Sequence, residues 1–274
     1  MELKTQINKA YIEHYAIGAF NFYNLESAQA VADAANAVGK PVIMMITETT
    51  IEYAGLDEII NIFNTVRDNS KTPLFLHLDH GKDIGIIKEC ISRKFDSVMF
   101  DGSTQPFEQN VIVSTELRRA AHRKGVVFEA EIGKIGGCED NVSSELFKTN
   151  PSEALRFFEQ VKPDMLAVAI GNVHGVKTSS EQLDFSLLAK IQNTIKAPIV
   201  LHGCSNRAPR EYSVAIGEGV VKINIDTELR QTFVESVKRS IRKATDPREI
   251  LGQARENIKK RALEKIRIFS KPCC

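Results

Sequence analysis

Residues 73–101 read PLFLHLDHGKDIGIIKECISRKFDSVMFD, and this stretch predicts a strand, a helix and a second strand. The two strand segments, Pro73–Asp79 and Ser97–Asp101, are apolar runs, as expected for strands that are buried on both faces. Between them, isoleucines recur at helical spacing from Ile84 to Ile91. The stretch therefore predicts a βαβ unit of a parallel sheet.

The same unit recurs along the whole chain. Apolar runs alternate with segments of helical periodicity often enough to supply the eight strands of a (β/α)8 barrel. We predict an α/β fold in which residues 1–274 form a single (β/α)8 TIM barrel domain, and the length suits this fold. The predicted strands are Ala16–Phe22, Pro41–Thr47, Pro73–Asp79, Ser97–Asp101, Val126–Ile132, Met165–Gly171, Pro198–Gly203 and Val220–Asp226.

An extra helix is predicted at the C-terminal end. Asp246-Pro247-Arg248-Glu249 has the pattern of a helix N-terminus, and the helix should run to about Ile268. The alternative to the barrel is a doubly wound open sheet, which usually carries a glycine-rich phosphate fingerprint after its first strand. Residues 16–24 contain a single glycine, so the barrel is favoured.

Composition and charge exclude several classes of partner. The chain has 36 basic and 35 acidic residues and a net charge of +1, which predicts no nucleic-acid partner and no membrane partner. No apolar run reaches 18 residues, and the N-terminus lacks the apolar stretch of a secretory signal, so we expect a cytoplasmic protein. The 5 cysteines have no zinc-finger spacing and are expected to be reduced.

Three histidines lie at or just after the ends of predicted strands, at one rim of the barrel. They are His80, His174 and His202, and a glycine comes directly after each. The active site of such a barrel is built where strands end and loops begin. Three imidazoles around one ion, with a fourth position open, are typical of a catalytic zinc site, so we predict that they bind Zn²⁺.

Carboxylates accompany these histidines. Asp79 precedes His80 and is placed to act as a general acid or base, or else to hold that histidine in position. Asp101 and Glu131 could bind metal, orient imidazoles through hydrogen bonds, or balance charge in the barrel mouth. His77 lies earlier in the same strand and is expected to be buried and structural.

Small residues with free backbone N–H groups cluster after predicted strands six to eight. Barrels often bind phosphate at this place, although tight turns and helix caps use the same residue types. The candidate phosphate-binding residues are Gly175, Gly203, Ser205 and Asn224–Thr227.

Residues 133–150 form the longest connection in the prediction. This segment contains Gly136-Gly137 and then Glu139-Asp140, too much glycine and polarity for a strand or a helix. We predict a loop that acts as a mobile lid. Glu139 would move a proton in the closed state, unless it belongs to a solvated acidic turn.

Eleven short motifs occur in one order along the chain: Gly18–Asn21, Tyr23–Glu26, His77–Gly81, Asp101–Ser103, Glu129–Glu131, Gly136-Gly137, Glu139-Asp140, Gly171–Gly175, His202-Gly203, Asn224–Glu228 and Asp246–Arg248. Together they resemble the class II, zinc-dependent fructose-bisphosphate aldolase family, and within it the tagatose-bisphosphate aldolase branch. The resemblance covers nearly the whole chain, and the order and spacing of the motifs agree.

The resemblance implies a (β/α)8 barrel and retro-aldol cleavage of a ketose bisphosphate or ketose 1-phosphate. The products would be dihydroxyacetone phosphate and an aldehyde such as glyceraldehyde 3-phosphate. Asp79 would exchange the proton of the hydroxyl at the cleaved bond, and Glu139 would exchange the proton on the dihydroxyacetone phosphate carbon. Zinc would be held by His80, His174 and His202, with Asp101 and Glu131 at a second or displaced metal position.

The resemblance also implies a homodimer or homotetramer and a monovalent cation, Na⁺ or K⁺, near the substrate phosphate. The substrate-binding residues on this interpretation are Asn21, Thr47, Gly175, Gly203, Cys204, Ser205, Asn224, Ile225, Asp226 and Thr227.

The sequence departs from the family pattern around the substrate. Cys204, Ser205 and Asn206 stand where the family usually has a small residue, Ser and Gly. Asparagine tolerates positive φ, so the turn should survive, whereas Cys204 is expected to narrow the phosphate loop. The other departures are Met45, Thr47, Thr49, Lys177 and Thr178.

Two other functions stay open at this point. A metal-dependent sugar-phosphate epimerase or isomerase on the same barrel would need the same polarised carbonyl and the same carboxylates. A non-catalytic subunit that binds sugar phosphate would keep the barrel and explain the altered loop at 204–206.

Overall fold

Eight parallel strands close into a barrel, as predicted. The computed structural model describes residues 2–139, 142–144, 147–175 and 182–271. The strands are numbered along the chain together with three short strands outside the barrel, β6, β7 and β9, which are described below. The barrel strands are β1 (Ile17–Asn21), β2 (Val42–Ile46), β3 (Leu74–Gly81), β4 (Ser97–Phe100), β5 (Val127–Ile132), β8 (Met165–Val168), β10 (Ile199–Leu201) and β11 (Val220–Ile225). Their order around the barrel is β1-β11-β10-β8-β5-β4-β3-β2.

Helices fill the connections and form the outer layer. The predicted C-terminal helix is present, and the Asp246 side chain accepts a hydrogen bond from the Arg248 N–H at its start. The helices are α1 (Leu3–Glu13), α2 (Leu25–Val38), α3 (Glu48–Ala54), α4 (Leu56–Asp68), α5 (Ile84–Ser92), α6 (Phe107–Arg123), α7 (Pro151–Val161), α8 (Phe185–Ile195), α9 (Pro209–Gly217), α10 (Thr227–Ser240) and α11 (Pro247–Phe269).

The first helix was not anticipated from the sequence. Leu3, Ile7 and Ala10 of α1 are buried together with inward-facing residues near the strand starts, such as Phe75 and Val127. Helix α1 therefore closes the amino end of the barrel. Its short apolar stripe is diluted by polar residues, which conceals the helix in the sequence.

The prediction of a loop over residues 133–150 was wrong for part of this segment. Three further strands, β6 (Gly136–Glu139), β7 (Val142–Ser144) and β9 (Val173–His174), form a separate sheet in the order β7-β6-β9. Gly137 pairs with His174 in parallel register. Backbone pairing needs no apolar side chains, so a glycine-rich segment can form a strand where a partner strand is already held.

Apolar side chains pack on both sides of the barrel strands. One lies between the strands and the helices, and the other fills the amino half of the barrel interior. Among the described residues, no helix is long and apolar enough to cross a membrane.

Candidate functional site

The three predicted histidines meet at the carboxyl end of the barrel. The ring centroid of His80 lies 4.4 Å from that of His202 and 4.9 Å from that of His174, and the His174 and His202 centroids are 6.3 Å apart. His80 is the penultimate residue of β3 and lies in the left-handed region, at φ +46°. A non-glycine residue in this region is strained, and such strain is often kept at functional sites.

Two of the predicted carboxylates face His80. Its Nδ1 lies 3.2 Å from Asp101 Oδ2 and 3.8 Å from Glu131 Oε2. Asp101 also accepts hydrogen bonds from the backbone N–H and hydroxyl of Ser103. Burial acts to raise the pKa of Asp101, but the hydrogen bonds with His80 and Ser103 outweigh it and hold the pKa below its usual range. Asp101 is thus an anion that can orient the His80 ring.

Asp79 is buried beneath the histidines. Its Oδ1 accepts a hydrogen bond of 2.9 Å from Asn224 Nδ2 and lies 3.8 Å from His202 Nδ1. A carboxylate at this depth, beside the histidine cluster, is positioned to exchange a proton with a bound molecule.

The donor atoms fit a divalent cation. Asp79, His80 and His202 offer donor atoms that all lie within 4.8 Å of one another, and so do His80, Asp101 and Glu131. Imidazole nitrogens with carboxylate oxygens are donors that Zn²⁺ accepts readily. His174 is in neither group, although its ring contacts that of His80.

Burial lowers the pKa of His202 well below its ordinary value, and the neighbouring His80 and Lys222 lower it further. Burial likewise lowers the pKa of His77, and Lys222 adds to the effect. Both rings are therefore neutral at pH 7. A neutral ring keeps one nitrogen lone pair, which metal ligation requires.

A polar layer below the histidines was missed by the sequence analysis. Glu129 and Lys222 are fully buried, and Lys222 Nζ lies 2.9 Å from Glu129 Oε2. His77 is fully buried as expected, and its Nδ1 lies 2.7 Å from Ser97 Oγ. The signals in the sequence were charged residues inside predicted strands, namely Glu129 in the run 126–130 and Lys222 in the run 220–223.

The predicted phosphate loop follows β10. Gly203 has φ +58° and Asn206 has φ +56°, so asparagine does sustain the left-handed turn. Ser205 Oγ accepts a 3.4 Å hydrogen bond from the Glu228 N–H at the start of α10. Cys204 does not narrow this loop with its side chain, because its thiol is buried in the core and donates to the His202 carbonyl at 3.3 Å.

The predicted substrate-binding residues at the end of β11 differ in their surroundings. The Ile225 side chain is fully buried in the outer core layer, so only its backbone remains available to a ligand. Asp226 accepts a hydrogen bond from the Tyr23 hydroxyl and pairs with Arg230 at 2.8 Å. Thr227 begins α10 directly after it.

Two buried amides lie at the ends of neighbouring strands. Asn21 ends β1 and Asn224 lies in β11, and the Oδ1 atom of each is buried with no hydrogen-bond partner among the described residues. An unpaired buried acceptor is costly, which points to a ligand that donates to it. Thr47, by contrast, uses its hydroxyl to cap α3 by accepting from the Thr50 N–H.

Four of the residues singled out in the sequence are not described in full. The backbone of Glu139 lies in β6, but its side chain is not described. Asp140, Lys177 and Thr178 lie outside the described residues. Gly175 follows β9 with φ +88°.

Comparisons with known proteins cover nearly the whole chain. Residues 1–272 match the family model described as fructose-bisphosphate aldolase class-II. A sulfofructosephosphate aldolase of Alkalicoccus urumqiensis is 35% identical over 97% of this chain and 95% of its own length. The crystal structure of the YdjI aldolase from Escherichia coli K12 is 32% identical, with a TM-score of 0.89 over 99% of this chain and 97% of that one. The fructose-bisphosphate aldolase structure from Campylobacter jejuni, at 24% identity, shares the fold with a TM-score of 0.82 over 99% and 94% of the two chains.

Proposed function

Because the chain belongs to the class II fructose-bisphosphate aldolase family and is therefore an aldolase, we propose that it cleaves a ketose bisphosphate or ketose 1-phosphate. The products are dihydroxyacetone phosphate and an aldehyde, and the reaction also runs as a condensation. The observation that carries this proposal is the convergence of His80, His174 and His202 above the buried Asp79.

Zinc is the metal we propose, held by the three histidines, with Asp101 and Glu131 either as oxygen ligands or as partners that orient His80. A zinc ion bound there supplies a Lewis acid that polarises the ketone and offsets the negative charge that develops on it. No Schiff-base lysine is then needed. Lys222 lies fully buried inside the barrel beside Glu129, and the proposal gives it no part in the cleavage.

Asp79 is the base of the cleavage step. Its carboxylate accepts the proton of the C4 hydroxyl, the C3–C4 bond breaks, and the C4 oxygen becomes the aldehyde carbonyl while the electron pair passes to C3. Glu139 then returns a proton to C3, which completes dihydroxyacetone phosphate. Asn224 Nδ2 holds the Asp79 carboxylate in place through the 2.9 Å hydrogen bond.

The substrate lies between β1, β10 and β11. The unpaired Oδ1 atoms of Asn21 and Asn224 accept hydrogen bonds from its hydroxyl groups. The phosphate of the dihydroxyacetone half lies against the loop ends, with a monovalent cation nearby, and backbone N–H groups and the start of α10 supply its donors. The residues that we propose to line the phosphate are Gly175, Gly203, Cys204, Ser205, Ile225, Asp226 and Thr227, and Thr47, which follows β2, is proposed as a further substrate-binding residue.

The proposal does not specify the group at the far end of the aldehyde half of the substrate. The 35% identical relative acts, by its name, on a sulfonated fructose phosphate. Substrates that end in a phosphate, a sulfonate or a neutral group are therefore all to be tested. We propose further that the protein works in the cytoplasm as a homodimer or homotetramer.

The test is a cleavage assay over a panel of ketose phosphates. Fructose and tagatose 1,6-bisphosphate, 6-sulfofructose 1-phosphate and neutral-ended ketose 1-phosphates are each incubated with zinc-loaded protein, and dihydroxyacetone phosphate is measured. Cleavage of at least one substrate, lost with EDTA and regained with Zn²⁺, is expected. An isomer of unchanged mass would support an epimerase or isomerase instead, and no reaction with any of them would support a non-catalytic sugar-phosphate-binding subunit.

A further inference from the structure

The buried ion pair spans the interior of the barrel. Glu129 lies on β5 and Lys222 on β11, and these strands are separated in the barrel by β8 and β10. Lys222 Nζ nevertheless lies 2.9 Å from Glu129 Oε2, with both residues fully buried. The middle of such a barrel is normally filled by branched apolar side chains.

Stability does not explain this pair. Removing two charges from water is unfavourable, and well-packed apolar replacements are often as stable or more so. A buried pair that is kept at this cost calls for another role, and its contacts indicate which one.

The carboxylate of Glu129 reaches His202 with its second oxygen. Glu129 Oε1 lies 2.8 Å from His202 Nε2, while Oε2 faces Lys222. A carboxylate that faces an ammonium group accepts hydrogen bonds, so the proton at the 2.8 Å contact is placed on His202 Nε2. The lone pair is then on Nδ1, which faces Asn224 Nδ2 at 3.0 Å and Asp79 Oδ1 at 3.8 Å, on the side of the metal donors.

Lys222 has a second partner that keeps it in place. Its Nζ lies 3.4 Å from His77 Nε2, and His77 Nδ1 lies 2.7 Å from Ser97 Oγ. The ammonium group therefore lies between His77 Nε2, to which it can donate, and the Glu129 carboxylate, whose Oε2 it faces as an opposite charge.

We propose that Glu129 and Lys222 are positioning residues that fix His202 as the Nε2–H tautomer, so that Nδ1 is the atom offered to the metal. The inference rests on the proposed function in one respect, namely that His202 is a metal ligand. Outer partners of this kind typically change metal affinity by about 10–100-fold when they are removed.

The test uses an amide that can face either way. In Glu129→Gln, the amide oxygen should face Lys222, because an ammonium group can only donate hydrogen bonds. The amide NH₂ group then faces His202 Nε2. The ring must then carry its proton on Nδ1, where the metal should bind. The double variant Glu129→Gln/Lys222→Met has no ammonium group at this place, so the amide oxygen can turn back and accept a hydrogen bond from His202 Nε2.

Two readouts follow the tautomer and its consequence. Long-range ¹H–¹⁵N NMR of the metal-free protein reports which His202 nitrogen carries the proton, and chelator competition gives the zinc affinity. We expect Nε2–H in the wild type, Nδ1–H and zinc binding at least about tenfold weaker in Glu129→Gln, and recovery of both in the double variant. Lys265→Met is the matched control, because it removes another buried lysine, 3.3 Å from the Glu228 carboxylate, and should leave zinc affinity unchanged.

The proposal is overturned if the wild type carries Nδ1–H, or if Glu129→Gln keeps both the wild-type tautomer and the wild-type zinc affinity. It is also overturned if the double variant is no better than the single one. Failure of the proposed function gives a different result, in which the wild type itself binds no zinc or cleaves no ketose phosphate. The tautomer is read without metal or substrate, so it is measured in either case.

Discussion

Gly203 approaches the backbone of Val173 so closely that no Cβ fits between them. A Cβ added to Gly203 would lie 2.5 Å from the Val173 carbonyl oxygen, and Gly203 has φ +58°. Val173 precedes His174, and Gly203 follows His202. This contact therefore sets the spacing between the loops that carry the two histidines.

Gly203→Ala should disturb both stability and the site. The clash and the left-handed backbone together should lower the free energy of unfolding by about 2 kcal/mol or more and weaken zinc binding, because His174 moves from His202. Denaturant unfolding and chelator competition measure the two effects. Gly252→Ala is the control, since nothing lies within 4 Å of its added Cβ in α11, and it should gain about 0.5–1 kcal/mol. A Gly203→Ala protein as stable as the wild type would refute this account of the loop.

Asp79→Asn should separate catalysis from metal binding. The amide keeps the shape and can still accept from Asn224, but it cannot take up the C4 hydroxyl proton. We expect kcat to fall by about 10²–10⁴-fold with a near-normal zinc content, measured by steady-state kinetics and metal analysis. Loss of zinc along with activity would instead identify Asp79 as a ligand.

Removal of the metal should abolish activity and lower the thermal stability without unfolding the barrel. Zinc added at about 100 times its Kd should stabilise the folded protein by about 2.7 kcal/mol, which a thermal unfolding curve detects. Mg²⁺ should fail to replace it, because the histidine-rich donor set does not suit a cation that prefers oxygen. Full turnover after exhaustive chelation would contradict the proposed chemistry.

Asp164, which lies at the end of the barrel opposite the histidines, should make the stability of the protein depend on pH. It accepts from Lys4, His122 and the Phe128 N–H. Burial acts to raise the pKa of Asp164, but these hydrogen bonds outweigh it and lower the pKa. A lowered pKa in the folded state contributes stability above the unfolded pKa of about 4, and this stability is lost as the pH falls through the folded value.

Asp164→Asn should therefore lower the free energy of unfolding by about 1–2 kcal/mol at pH 7, and the difference from the wild type should shrink below about pH 4. Denaturant unfolding across this pH range measures it. Asp68→Asn is the control, since Asp68 is exposed and its nearest charge, Arg67 Nε, is 3.9 Å away. A difference that is constant with pH would show that the Asp164 charge is not the cause.

The architecture could be read from the sequence because its signals are local. Apolar runs such as 74–78 and 42–46 are buried on both faces, and helix caps such as Asp246 act within one turn. The rule that barrel sites form at strand ends then brought the three histidines together without any distance being known.

Other features depend on contacts between distant parts of the chain. The strand Gly136–Glu139 exists because Val173–His174 lies beside it, and α1 is stabilised by the open amino end of the barrel. The 2.9 Å contact of Glu129 with Lys222 arises only when the barrel closes and strands 93 residues apart in the chain face each other across its interior. Periodicity and capping act over a few residues, so the sequence by itself determined most helices and strands and the residues at the rim of the barrel. Barrel closure and strand register decided which buried charges meet and which nitrogen of His202 faces the mouth of the barrel.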